Sequence, residues 1–280
     1  TTSSKTNKTS SIKPSKMSKP SSLPAPRSLP FEARRFLKRV QTFAAAHALW
    51  NENSRILIAV SGGPDSVCLL DMLAFIGQKY ELSLGIAHVN YQLRGKDSAA
   101  DERFVRTLAK RYQIPCFIKR YPTGMPHDEN TLREFRYAFF EKLRKQYRFD
   151  RLALGHHMGD QAETLLMNLI RGAGPMGMAG MLPKHNSHIR PLLALDRTHI
   201  LRYLAACSLE LRTDASNTDT RYTRNRIRCE LLPLLRDRFN PNIIATLARS
   251  ASRFQSIVPH VPQAGKTAPL KAGRKPQSKH

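Results

Sequence analysis

Four groups of residues in this 280-residue chain have the types and spacing to do chemistry. The first is Ser61-Gly62-Gly63-Pro64-Asp65-Ser66. It follows the apolar, β-branched run Ile56–Val60 and precedes the apolar positions Val67, Leu69, Leu70 and Leu73. That order predicts a strand buried on both faces, a tight turn and a helix. Glycines let a ligand approach the backbone, and free N–H groups at a helix N-terminus attract an anion. The inferred ligand is a phosphate group. No Gly-Lys-Ser/Thr closes the loop, so it is not a Walker loop. No third glycine follows Gly63 by three residues, so it is not a dinucleotide fingerprint. An ordinary strand–turn–helix junction is the plain alternative.

The second group is Arg133 and Arg136, three apart on one helix face, able to bind phosphate oxygens as forks or to sit on a solvated face beside Glu134 and Glu141. The third is His156, His157, Asp160 and Glu163. Its carboxylates read either as a site for a cation or as a helix capping box with Asp160 at the cap. The histidines have no third clear ligand for a zinc site. The fourth is the basic run Arg221–Arg228.

Elements must bring these groups together. Helical spacing is expected over 31–50, 97–112, 132–147, 160–171 and 196–207, with Asp97 or Ser98 capping the second. Strands are expected at 56–60, 82–88, 115–119, 151–154 and 188–193. This alternation predicts an α/β fold, a parallel sheet with helices on both faces. Ligands bind such sheets beyond the strand C-termini, which gathers Ser61–Ser66, His88–Asn90 and Gly155–Asp160 at one edge. Residues 172–180, rich in glycine and methionine, read as a loop beside the site. Residues 224–238 and 240–254 read as a short helical region after a turn at Asp214-Ala-Ser-Asn217, with Pro233 kinking or dividing the first helix.

Composition bounds the function. Lys and Arg number 46 against 21 acids, a net charge of +25. Residues 1–31 and 238–280 hold fourteen of the basic residues and no acid, so residues 32–237 keep a surplus of 11. A basic body as well as basic ends points to a polyanionic partner, most simply nucleic acid. Residues 1–30 and 256–280 are expected to be disordered basic tails. The first of them shares its Ser-rich, acid-poor character with transit peptides but has no clear amphipathic face. No apolar run is long enough to span a membrane. Cys68, Cys116, Cys207 and Cys229 lie at least 22 residues apart, against a disulfide framework, zinc ribbon or iron–sulfur site. A cytoplasmic protein is the natural reading, with a homodimer left open.

Further stretches complete an ordered set. They are His88-Val-Asn-Tyr-Gln-Leu-Arg94, Arg133-Glu-Phe-Arg-Tyr137 and Gly155-His-His-Met-Gly-Asp-Gln-Ala-Glu-Thr164, then Arg190-Pro-Leu-Leu193, Asp214-Ala-Ser-Asn-Thr-Asp219 and Arg224-Asn-Arg-Ile-Arg228. With Ser61–Ser66, this set resembles the tRNA(Ile)-lysidine synthetases, pyrophosphate-loop enzymes that split ATP into AMP and pyrophosphate. The resemblance runs from about residue 55 to 238. It implies an adenine nucleotide α-hydrolase-like, Rossmann-like domain over 31–213 and a tRNA-contacting helical region over 214–255. The implied reaction joins L-lysine to C2 of the wobble cytidine of a tRNA(Ile) with anticodon CAU, through an adenylated tRNA.

The resemblance also implies roles. Ser61, Gly62, Gly63, Pro64, Asp65, Ser66 and His88 would bind ATP, with Asp65 holding Mg²⁺. Asp160 and Glu163 would receive lysine. Asp65, Arg133, Asp160 and Glu163 would be catalytic, and Arg221, Arg224, Arg226 and Arg228 would contact tRNA. Gly159 stands where the family usually has an Asp, which puts metal handling in question. Many members also carry further C-terminal domains. The rival readings are a tRNA-thiolating enzyme with the same ATP chemistry, a small-molecule amide synthetase and a non-catalytic RNA-binding relative.

Overall fold

The computed structural model describes residues 29–212 and 222–257. The expected tails lie almost wholly outside the described residues. The turn at 214–217, the expected boundary after 213 and Arg221 lie outside them too.

Strand β1 (Arg55–Ala59) is the centre of a six-stranded sheet. It pairs in parallel with β2 (Ser83–Asn90) on one side and β4 (Arg151–Ala153) on the other. Beyond β2 lies β3 (Cys116–Arg120), and beyond β4 lies β6 (His188–Ile189), both parallel to their neighbours. The two-residue β5 (Lys184–His185) closes that edge antiparallel to β6. The order β3-β2-β1-β4-β6-β5 reverses direction between β1 and β4, the switch point at which such sheets open a crevice. The last strand is shorter than the 188–193 expected. Residues 191–195 turn away, with the Leu193 and Leu195 amides bonded to carbonyls three residues back.

Alternation along β1 decides the layers. Ile56 and Ile58 join the larger core with α1 (Phe31–Ala46), α2 (Pro64–Lys79), α3 (Lys96–Tyr112) and α7 (Arg197–Ala206). Leu57 points to the other face, against Phe140 and Leu143 of α4 (Glu129–Gln146). The expected sheet with helices on both faces is therefore the one observed. Between α2, α3 and α7 the buried Asp71 accepts hydrogen bonds from Tyr112 Oη, at 2.5 Å, and Tyr203 Oη, so each of its oxygens has a partner. Neither Asp97 nor Ser98 caps α3. The N-cap is Gly95, and Ser98 Oγ instead accepts the Arg94 amide at 3.1 Å.

Helix α5 (Met158–Ile170) follows β4 and carries the C-terminal region. The loop expected over 172–180 contains a short helix, α6 (Pro175–Met178). After residue 221 come α8 (Thr223–Arg226), a π-helical turn (Ile227–Leu231), α9 (Leu232–Arg238) and α10 (Ile243–Ile257). Ile227 and Leu232 are buried with Ala162 and Leu166 of α5 in a third small core. Ile227, Leu232 and Leu166 each contribute about 1.5–3 kcal/mol, and Ala162 less. The expected kink at Pro233 takes the form of the wide turn just before it.

Candidate functional site

Beyond the C-termini of β1 and β4 a cleft of about 680 Å³ opens. One lip is the Ser61–Ser66 turn. Gly62 has φ +100°, a conformation that a side chain strains. Pro64 takes the first helical position of α2, where its missing N–H is not needed. Ser66 Oγ accepts the Ser61 and Gly62 amides at 3.2 and 3.1 Å and donates to the Gly63 carbonyl at 2.9 Å. The loop thus converges two N–H groups on the Ser66 hydroxyl, which fixes its shape at the N-terminus of α2, an end that favours an anion. Gly155 lets the chain leaving β4 lie against this turn, since a Cβ there would sit 3.2 Å from the Asp65 carbonyl.

Asp65 faces the cleft from the first turn of α2. Burial pushes its pKa up, opposed by His157, and Oδ1 is buried without a hydrogen-bond partner among the described residues. A hard oxygen donor of this kind fits Mg²⁺, which takes one or two carboxylates together with substrate phosphates and water.

The other lip is α5. His157, not Asp160, is its N-cap: His157 Nδ1 accepts the Gly159 amide at 2.9 Å, and Asp160 Oδ2 accepts the His157 amide at 2.9 Å. The capping box is therefore His157 with Asp160, one turn earlier than Asp160 with Glu163. Accepting at Nδ1 places the ring proton on Nε2, which lies 3.6 Å from Asp160 Oδ2 and 3.9 Å from Asp65 Oδ2. A Cβ at Gly159 would stand 2.7 Å from His157 Cε1. The imidazole occupies space that an Asp at 159 needs, so the Gly159 departure and the folded-back histidine go together. His156 accepts from Arg190 Nε at 3.2 Å, and burial pushes its pKa down to about 3. No cluster of three metal-ligating side chains occurs among the described residues.

Asp160 and Glu163 are already paired. Arg224 Nε donates to Glu163 Oε2 at 2.8 Å, and its Nη2 to Asp160 Oδ1 at 3.1 Å. Arg228 donates to Glu163 through Nε at 2.6 Å and Nη2 at 2.9 Å, and to Asp160 at 3.2 Å. The Glu163 side chain is only 3% exposed. Burial opposes ionisation of Asp160, but His157, His156 and Arg224 outweigh it and hold its pKa low. The two carboxylates and two guanidiniums cancel in charge.

The remaining expected residues separate. Arg226 points outward, 65% exposed and 3.8 Å from Glu230. Arg133 lies over the Tyr137 ring at 5.1 Å and does not line the cleft. Arg136 does line it and donates to Tyr91 Oη at 3.2 Å. His88 also falls outside the lining: Ala87 and Val89 face the cleft, and the pleat turns the residue between them to the other side. There His88 Nδ1 bonds the Val60 carbonyl at 2.8 Å, and burial pushes its pKa down. Arg212 and Asp101 line the cleft without having been expected there. Neither belongs to a motif, and both arrive through tertiary contacts.

The profile of the PP-loop domain family matches residues 32–235. The chain is 39% identical over 221 residues to the tRNA(Ile)-lysidine synthase of Clostridium perfringens, covering 76% of this chain and 47% of that protein. It is 44% identical over 223 residues to the protein of the same name from Geobacter sulfurreducens, covering 77% and 47%. The chain thus spans about half the length of the curated relatives it matches. Among solved structures, the U34-tRNA thiolase of Methanococcus maripaludis superposes with a TM-score of 0.61 at 19% identity, covering 81% of this chain and 80% of that one. That likeness is one of fold. With its strand order, its Ser61–Ser66 turn and its match over 32–235, the chain belongs to the PP-loop family of ATP-binding domains.

Proposed function

We propose that the chain is a tRNA(Ile)-lysidine synthetase. It uses ATP to join L-lysine to C2 of the wobble cytidine of tRNA(Ile) with anticodon CAU. The observation that carries this reading is the pairing of a glycine turn at a helix N-terminus with two buried carboxylates across one cleft, in a chain 39–44% identical to proteins of that name.

A ring carbonyl oxygen is a poor leaving group. The cytosine O2 therefore attacks the α-phosphorus of ATP, the bond to the bridging oxygen breaks and pyrophosphate leaves. The Ser61–Ser66 turn, at the N-terminal end of the α2 dipole, holds the departing phosphates. Asp65 would hold Mg²⁺ there, and the ion would supply neutralising charge. Lysine's ε-amine then attacks C2 and expels AMP with the O2 oxygen. That amine has an ordinary pKa of about 10.4 and arrives protonated. Asp160 and Glu163 receive it, and one of them takes the proton before attack. Because every charge there is cancelled by Arg224 and Arg228, lysine enters by exchange with Arg228, the arginine of the two that lines the cleft. The exposed Arg226 contacts the RNA, and Arg221 is assigned the same role from its place in the basic run. The expected thiolase alternative lacks a cysteine among the cleft-lining residues.

The test is pyrophosphate and AMP release with purified chain. Pyrophosphate release should require the tRNA, and AMP release should additionally require lysine. Turnover that needs a sulfur donor, or pyrophosphate release indifferent to tRNA, refutes the assignment.

A further inference from the structure

Three charged side chains on the loop side of the cleft have no part in the chemistry above. Arg94 follows β2, Asp101 lies on α3 and Arg212 follows α7, and all three line the cleft. Asp101 Oδ2 accepts from Arg94 Nη2 at 2.7 Å, and Oδ1 accepts from Arg212 Nε. The Arg212 amide also reaches the Gly62 carbonyl at 3.4 Å. One carboxylate, 15% exposed, therefore fixes two guanidiniums at the edge of the phosphate turn.

We propose that Arg94 and Arg212 grip the pyrophosphate portion of ATP, and that Asp101 is the positioning residue that aims both forks. This rests on the reading of the Ser61–Ser66 turn as a nucleotide site. Two arginines side by side repel each other, and an intervening carboxylate offsets that repulsion while leaving the cluster one positive charge. A guanidinium binds phosphate best as a planar fork, so its direction matters as much as its charge. Pyrophosphate gains charge as it departs, and preoriented donors stabilise that charge without reorganising.

The proposal makes a prediction whose sign is opposite to simple charge counting. Asp101 is an anion beside an anionic ligand, so charge alone says that Asp101→Asn tightens pyrophosphate binding. Loss of aim says that it loosens binding. The experiment is calorimetric titration of the full chain with ATP and with inorganic pyrophosphate, accompanied by melting curves. Asp101→Asn should weaken both ligands roughly tenfold. In turnover it should raise KM for ATP and leave KM for lysine as it was. Asp101→Glu should restore part of the loss. Arg94→Gln and Arg212→Gln, which each remove one fork, should weaken pyrophosphate comparably and keep the test open if Asp101→Asn does not fold. Unchanged or tighter binding in a folded Asp101→Asn, or unchanged binding in both arginine variants, overturns the proposal. A wild-type chain that binds neither ligand overturns the nucleotide reading itself, and this assignment with it.

Discussion

The two lips of the cleft are built in opposite ways. The Ser61–Ser66 lip is made from six consecutive residues, and its bonds span two to five positions. The α5 lip is made from side chains that meet across 61 to 68 positions, with Arg224 and Arg228 closing on Asp160 and Glu163. A local turn keeps its shape whatever the distant chain does. A long-range ion cluster holds only while the C-terminal helices are docked. The loop lip should therefore fail in chemistry, and the α5 lip in stability as well.

The largest expected effect is on the loop side. Asp65→Asn should cut tRNA-dependent pyrophosphate release by on the order of 10²–10³-fold, without lowering the melting midpoint. Burial already raises the pKa of this carboxyl, so a neutral side chain suits the site. Normal release, or loss of activity only through unfolding, would erase the contrast between the lips.

Glu163→Gln should behave differently. It leaves two partly buried guanidiniums facing one buried carboxylate and should cost about 3 kcal/mol, a fall of several degrees in Tm. The lysine KM should rise in the same variant. A melting midpoint equal to wild type would mean that the arginines do not depend on Glu163, and the two lips would then be alike.

Gly62→Ala sharpens the local half of the comparison. At φ +100° a Cβ is strained, at about 1–2 kcal/mol, although the nearest side-chain atom lies 3.5 Å away. The loss should be one of backbone conformation and should appear in ATP affinity before it appears in Tm. Undiminished ATP affinity would show that the turn tolerates reshaping.

The smallest effect expected concerns pH. Hydrogen bonds from Arg120 hold Glu102 well below its usual range, at about 2, against an ordinary 4.5. A lowered folded pKa contributes stability that is present above the unfolded value and is lost as pH falls through the folded one. The window thus runs from about 4.5 down to about 2. Both arginine partners on Glu102 are more than half exposed, so the contribution is about 1 kcal/mol. Acid titrations of Tm for wild type and Glu102→Gln should differ above this window and converge towards its lower end. Parallel curves would assign the acid sensitivity elsewhere, to the Asp160 cluster first.

The same contrast explains what could be read from the chain beforehand. The Ile56–Val60 run and the Gly62-Gly63 pair announce strand, turn and anion site because each signal lies within a few residues. The alternation of strands and helices announces the sheet for the same reason. The partners of Glu163 were not visible, since Arg224 and Arg228 look like any basic stretch until α8 and the turn after it lie against α5. His88 was misplaced for a subtler reason. Its strand was recognised, but which parity faces the cleft depends on the layers, and Ala87 and Val89 took that side. His157 as cap was hidden because histidine is an uncommon cap, whereas the Asp160–Glu163 spacing imitates a common one.

The wide turn at Ile227–Leu231 acts as a phase adjuster. Pro233 has no N–H, and its ring would press on the carbonyl of residue 229 in a regular helix. A turn with one residue in excess removes the clash and delays everything after it by about 100°, one residue's worth of rotation. Arg224 ahead of the delay and Arg228 within it address the carboxylates of α5, and Leu232 behind it still reaches the same helix while Leu234 faces outward at 51% exposure. The proline thus sets the rotational timing with which one helix first presents charge and then grease to a single neighbour.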